Sequence, residues 1–223
     1  MTKPATSQDL AIWGESLGAI ARTGLGFTDN LYERERFEEV LKIAAEIRSA
    51  AIGDPDPDGL VVEWMKSVGS GVSGYVTPKV TVGAIVGNEQ GEILLVQRAD
   101  SGVWLFPTGW ADVGYSPSEV AVKEVFEETG IQCEVVRVLT VLDGMRRGFT
   151  KIPLVSIVFL CRAVGGEIDP HPLETSGCGW FPRDGLPEPT AGAERWADEA
   201  FSAIGGNVFE TSFDAPRRAP WDE

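Results

Sequence analysis

The chain opens with helical periodicity. Leu10, Trp13, Leu17 and Ile20 recur at spacings of three and four, the mark of one apolar helix face. Ser7 and Asp9 stand as its possible starts, and Gly24 and Gly26 as its stop. Thr28, Asp29 and Asn30 then offer caps for a second helix from Leu31 to Ala51. Its stripe is Phe37, Val40, Leu41, Ala44, Ile47 and Ala51, and Glu38 and Lys42 are placed for an i,i+4 pair on the other face. The run GDPDPDG, Gly53 to Gly59, ends it sharply. A third short helix is expected from Leu60 to Val68, packing Val61, Trp64, Met65 and Val68. GSGVSG, Gly69 to Gly74, has the composition of a linker. Such a hairpin holds too little core to stand alone, so its stripes are expected to be covered by the larger domain or by a second subunit.

From Lys79 the period changes to two. KVTVGAIVG predicts a strand, NEQG a turn and EILLVQR its hairpin partner. CEVVRVLTVL predicts another strand, and DGMRRGFTK, Asp143 to Lys151, a basic loop. IPLVSIVFLCRAV is almost wholly apolar, as a central strand buried on both faces would be. A long loop follows around a short Trp180-Phe181 strand, then a terminal helix from Ala193 to Ile204 and an irregular tail. This divides the chain into a helical region, 1–70, a linker, 71–78, a larger domain, 79–206, and a tail, 207–223.

Between the hairpin and the next strand lies FPTGWADVGYSPSEVAVKEVFEETGI, Phe106 to Ile131. A glycine-bearing loop turns into a short helix, with Ser116 as cap, Pro117 at its first position and Gly130 at its end. At about 100° per residue, Glu127 and Glu128 fall roughly 60° and 40° to either side of Glu124. Val122, Val125 and Phe126 point the opposite way, toward a core. Three carboxylates on one face raise each other's pKa unless a cation intervenes. Mg²⁺ commonly takes a few carboxylates together with substrate phosphates. A solvated acidic face is the plainer meaning of such a charge run.

This stretch resembles the Nudix hydrolase signature, G-x5-E-x7-R-E-U-x-E-E-x-G-U, with U an aliphatic residue. Gly109, Glu124, Val125, Glu127, Glu128, Gly130 and Ile131 match in register. Tyr115 stands where the first Glu belongs and Lys123 where the Arg belongs. The region of residues 10–51 resembles a small N-terminal domain found ahead of some Nudix domains, through Leu17, Ala21, Thr23-Gly24-Leu25, Thr28 and Tyr32 to Phe37. With WADVG at Trp110–Gly114 and LETS at Leu173–Ser176, the chain is similar to the subgroup of CDP-choline pyrophosphatases and proteins labelled ADP-ribose pyrophosphatase.

The resemblance implies an α+β Nudix fold, a mixed sheet sandwiched between helices, and a homodimer in which the N-terminal helices take part. It implies hydrolysis of the pyrophosphate bond in a nucleoside diphosphate linked to another group, with Mg²⁺, or Mn²⁺ in its place. Carried onto matching positions, Glu124 and Glu128 would be the main ligands, with Glu127 close by and the Thr108 carbonyl as another. Glu174, from a later loop, would serve as base or extra ligand, although an ordinary exposed acid is an equal reading. A second Glu common in the subgroup is Gly177 here. Arg98 offers a bidentate hold on phosphate or a plain surface ion pair. Arg146 and Arg147 would meet phosphate or stay solvated. Gly109 and Trp110 belong to the binding loop, and Trp104, Trp110 and Phe149 offer faces for a base or side chains for the core. Asp143 is a further acid that could face the site, though the sequence does not show it.

The two departures predict retained but weakened catalysis. Lys123 keeps the charge without the fork, and restoring Glu at 115 and Arg at 123 is expected to raise turnover several-fold. The alternative is a nucleotide-ligand sensor or interaction module that kept the fold and lost efficient turnover.

Composition narrows this further. A net charge of −15 offers nucleic acid no basic surface. Three cysteines, Cys133, Cys161 and Cys178, lack metal-site spacing and are expected as reduced thiols in a cytoplasmic protein. His171 is the only histidine, which argues against a histidine-based triad. No apolar run reaches membrane-spanning length, and MTKPATSQDL lacks the apolar core of a signal peptide.

Overall fold

The computed structural model describes residues 4–69, 75–112 and 114–217. The linker composition at 70–74 and the end of the tail, 218–223, lie outside them. The chain divides into two compact units: Met1–Lys79 with Asp143–Leu154, and Val80–Leu142 with Val155–Glu223.

The first unit is built on three helices, α1 (Ser7–Phe27), α2 (Leu31–Ile52) and α3 (Pro57–Met65). Thr6 caps α1 in a reciprocal box with Asp9, Asn30 caps α2, and Asp56 caps α3 with Pro57 just inside. The third helix therefore begins within the GDPDPDG run rather than at Leu60. Nor do Gly24 and Gly26 stop α1. They sit inside it, and a methyl group at Gly24 would strike the Phe37 ring. Gly18 does the same for Trp64, whose ring lies 2.7 Å from where a Cβ would stand. Gly18 and Gly24 are packing notches, and the gain in contact offsets a helix-interior cost of about 1 kcal/mol each.

The packing face of α1 is correspondingly not the one that its large apolar residues mark. Ala11, Gly14, Gly18, Ala21 and Leu25 are buried, while Trp13, Leu17 and Ile20 are exposed, Ile20 by 62%. On α2, Leu41, Ala44 and Ala45 pack inward and Val40 and Ile43 face outward. Small residues let the backbones approach, which large ones at those positions would prevent. The interior also holds a charged cluster. Glu15 bonds Arg22 at 2.7 Å and meets Arg48 at 3.0 Å, with Arg22 stacked 4.9 Å from the centre of the Trp64 ring.

The basic loop belongs to this unit. It contains a one-turn helix, α5 (Gly144–Arg147), capped by the Asp143 side chain on the Arg146 N–H. The Gln8 amide donates to the carbonyls of Met145 and Arg146, and Arg48 donates to that of Lys151.

The second unit is an eight-stranded mixed sheet. Its strands are β1 (Lys79–Gly87), β2 (Ile93–Arg98), β3 (Trp104–Leu105), β4 (Thr108–Trp110), β5 (Ile131–Asp143), β6 (Leu154–Gly166), β7 (Thr175–Phe181) and β8 (Ser212–Phe213). The order is β3-β2-β1-β6-β5-β8, with β4 on β1 and β7 on β2. The apolar β6 is central, as its composition predicts. Three short strands, β3, β4 and β8, have no signal of their own in the sequence, and β8 gives the tail a parallel pairing with β5.

Alternation along β1 sorts the core. Val82, Ala84 and Val86 face helix α4 (Pro117–Thr129), packing on Val120, Ala121 and Val125. Ile85 faces the other way, toward α6 (Ala193–Ile204) and its Ala200 and Ala203. The sheet thus has a helix on each face. Phe126, expected to point into the core, is 54% exposed; the inward turn of α4 is completed by Thr129 instead, whose hydroxyl donates back to the Val125 carbonyl.

Candidate functional site

Helix α4 has the ends its sequence predicts. Ser116 and Glu119 form a capping box, Pro117 is the first helical residue, and Gly130 takes the left-handed conformation at φ +74°. Its C-terminal carbonyls are closed by the segment that runs from β6 into β7. Asp169 N–H donates to Thr129 at 2.8 Å, and both His171 N–H and the Thr175 hydroxyl donate to Glu128 at 3.3 Å.

The segment of β4 lies against the acidic face of α4. The Thr108 N–H donates to the Glu128 carboxylate at 3.2 Å. The Glu124 carboxylate rests on the Cα of Gly109, in the space that any Cβ there would fill. The register Gly83 to Thr108, Val82 to Gly109 and Thr81 to Trp110 fixes this segment on β1.

The charges of the site follow from burial. Desolvation pushes the Glu128 carboxyl up to about 8, with the fields of Glu124 and Glu174 adding to it and the Thr108 N–H and Arg98 opposing. Glu124 is also raised, by burial first, with Lys123 opposing. Glu174 acts on both carboxyls. It is held by its carbonyl, which accepts from Ala99, and by the pairing of Thr175 with Arg98 at a register shift between β2 and β7.

The other expected site residues fall into three groups. Glu127 is half exposed and bonded to Lys123 at 2.9 Å. Arg98 pairs with Asp100 at 2.5 Å, and its field reaches Glu128 and Glu174. Trp110 is half exposed at the end of β4, whereas Trp104 stacks edge-on with Phe181 in the core. Arg146 and Arg147 belong to the helical unit. A methyl group at Gly177 would stand 3.0 Å from the Trp104 ring, so Trp104 fills the side where a second loop acid would project. Asp112 was not marked out by the sequence, apart from its place in WADVG; it meets Lys123 at 3.2 Å.

The donor set fits a hard divalent cation. It offers carboxylates in one another's field, one of them held protonated to about pH 8 without a cation. Among the described residues no group of three or more His, Cys, Asp and Glu side chains is arranged to hold a metal ion by itself. A cation there would draw further oxygens from backbone, water and substrate, as Mg²⁺ commonly does. All three cysteines are free thiols.

Comparison with known proteins decides the family. The NUDIX domain model matches residues 77–202. The chain belongs to the Nudix hydrolase family. A second model, described as a UDP-X-like, N-terminal oligomerisation domain, matches residues 8–56. The Bacillus subtilis protein named "Putative ADP-ribose pyrophosphatase YjhB" is 35% identical over 78% of this chain and 80% of its own length. A crystal structure of an ADP-ribose pyrophosphatase from Streptococcus suis is 37% identical with a TM-score of 0.54, over 62% of this chain and all of its own. A UDP-X diphosphatase structure is 28% identical with a TM-score of 0.55, over 94% of this chain and all of its own. The protein is thus a Nudix pyrophosphohydrolase with a helical N-terminal region, from a family that generally uses divalent metals. Among the described residues no helix is long and apolar enough to cross a membrane.

Proposed function

We propose that this Nudix enzyme cleaves the pyrophosphate bond of a nucleoside diphosphate linked to a sugar or alcohol, of the ADP-ribose, UDP-X or CDP-choline type. The observation that carries the reading is the pairing on α4 of a buried, proton-retaining Glu128 with Glu124, both set against the segment of Thr108 and Gly109. Mg²⁺ is the expected cation, with Mn²⁺ able to replace it. Glu124, Glu128 and the Thr108 carbonyl would hold it. Glu127 would join them only by giving up its bond to Lys123. The bound cation supplies charge neutralisation on the phosphoryl oxygens and an activated water.

Glu174 stands in the field of both carboxyls and is the group proposed to take the proton of the attacking water. The water oxygen bonds to one phosphorus, the bridging P–O bond breaks, and the second phosphate leaves with that electron pair. Gly109 keeps the loop backbone close to the phosphates. Trp110, half exposed at the loop's edge, offers a face to the base. Arg98 would reach phosphate by releasing Asp100.

The helical region is proposed to form a homodimer. Trp13, Leu17, Ile20, Val40 and Ile43 are exposed on helices that match an oligomerisation domain, and such a surface is more than a monomer commonly leaves open. The cytoplasm, which suits its free thiols, is the proposed compartment. The reading is tested by a panel of nucleoside diphosphate derivatives with Mg²⁺ or Mn²⁺, scored by phosphate release after a coupled phosphatase. Release from none of them in either metal contradicts it.

A further inference from the structure

Lys123 sits at an ion-pair junction. Its ammonium lies 2.9 Å from Glu127, 3.2 Å from Asp112 and 3.7 Å from Glu124. Glu124 and Glu127 are on the same helix as Lys123, so those two contacts tie α4 to nothing outside itself. Asp112 is different, because it lies on the loop that leaves β4. The same segment meets α4 at its start, through Thr108 on Glu128 and Gly109 under Glu124. Residues 108, 109 and 112 therefore meet 128, 124 and 123 in turn, and the loop runs antiparallel along the acidic face. Its backbone is held at both sides of Asp112. Ala111 N–H donates to the Val80 carbonyl at 3.0 Å, and Tyr115 N–H to the Asp112 carbonyl at 3.3 Å.

We infer that Asp112 is a positioning residue of the catalytic helix, supplying from position 112 the loop carboxylate that Tyr115 does not provide. It acts through Lys123. With Asp112 and Glu127 sharing the ammonium, Lys123 is kept from closing on Glu124, whose carboxylate stays available to a cation. Remove Asp112, and the ammonium has only the two helix carboxylates left to neutralise, one of them the proposed metal ligand. The inference rests on the functional reading of Glu124 given above. It concerns orientation and metal occupancy, since half-exposed ion pairs contribute little to stability, and the fold is expected to survive the substitution.

The test uses the full-length protein, with Mn²⁺ alone as the probe, read by electron paramagnetic resonance on the free protein. Steady-state kinetics on the best panel substrate accompany it. Asp112→Asn is expected to weaken Mn²⁺ binding and to lower kcat, each by about tenfold, while KM stays within about twofold. In a Lys123→Gln background the same substitution should have almost no further effect, because the residue acts through the ammonium. An Asp112→Asn protein equal to the parent in both readouts overturns the inference. So does a loss that persists undiminished in the Lys123→Gln background. A folded parent that neither binds Mn²⁺ nor hydrolyses any panel member overturns the functional reading, and the inference with it.

Discussion

Replacing Glu128 by Gln should make the metal-free protein more stable at alkaline pH while disabling it. In the folded protein this carboxyl keeps its proton up to about pH 8, against 4.5 for its ordinary value. Between those limits the native state binds more protons than the unfolded chain, so stability falls as pH rises. The contribution is intact below 4.5 and lost as pH climbs through 8. At about 1.4 kcal/mol per pH unit, the full displacement caps the effect at about 5 kcal/mol. Water entry and side-chain relaxation cut this to about 1–2 kcal/mol. Gln is nearly isosteric, and its carbonyl accepts the Thr108 N–H that now reaches Glu128.

The assay is thermal unfolding of both proteins in a chelator. At about pH 4, where the carboxyl is protonated in both the folded and the unfolded chain, the midpoints should coincide; at about pH 8.5 the Gln variant should melt higher by about 3–6 °C. Adding Mg²⁺ at the higher pH should then raise the parent and leave the variant nearly unmoved, because the cation binds the ionised carboxylate. Parallel pH profiles for the two proteins would refute the reasoning, since they would show that Glu128 is not desolvated in the folded state.

Other outcomes follow from the same geometry. Gly109→Ala should lower kcat by about a hundredfold with little change in melting temperature, because the new methyl displaces the Glu124 carboxylate and the transition state loses its charge partner; kcat within twofold of the parent would sink the idea. Trp13→Glu should convert the proposed dimer to a monomer by light scattering at micromolar concentration, and a parent already monomeric would end that proposal. Tyr115→Glu with Lys123→Arg, expected from the sequence alone to raise turnover, should change it by less than about twofold now that Lys123 is seen engaged by Asp112; a tenfold rise would show that grip to be insufficient.

The ends and the acidic face of α4 were legible in the sequence, though not the outward turn of Phe126. Ser116, Pro117 and Gly130 act locally, and the signature's spacing put Glu124 and Glu128 on one face. The terminal helix and long strands were legible for the same reason, since period alone marks them. What escaped depends on distant partners. The large residues of α1 suggested a core face, but its packing was decided by Ala11, Gly14 and Gly18 against α2 and Trp64, which no periodicity ranks above Trp13 and Leu17. The strands β3 and β4 are two and three residues long, too short to carry a pattern. The Asp112 to Lys123 bond spans a turn of unknown course in the sequence. The basic loop was readable as a loop, yet its membership in the helical unit arises from Gln8 and Arg48.

The central claim is that the buried carboxylates of α4 run a pyrophosphate cleavage, and turnover by Glu128→Gln tests it most directly. Parent and variant are compared in saturating Mg²⁺ on the best panel substrate, with folding checked by circular dichroism and products resolved by chromatography. The account predicts two phosphomonoester products from the parent and a rate lower by at least about a hundredfold in the folded variant, because a lost ligand removes charge stabilisation from the transition state. A folded variant that turns over at the parent's rate would contradict it.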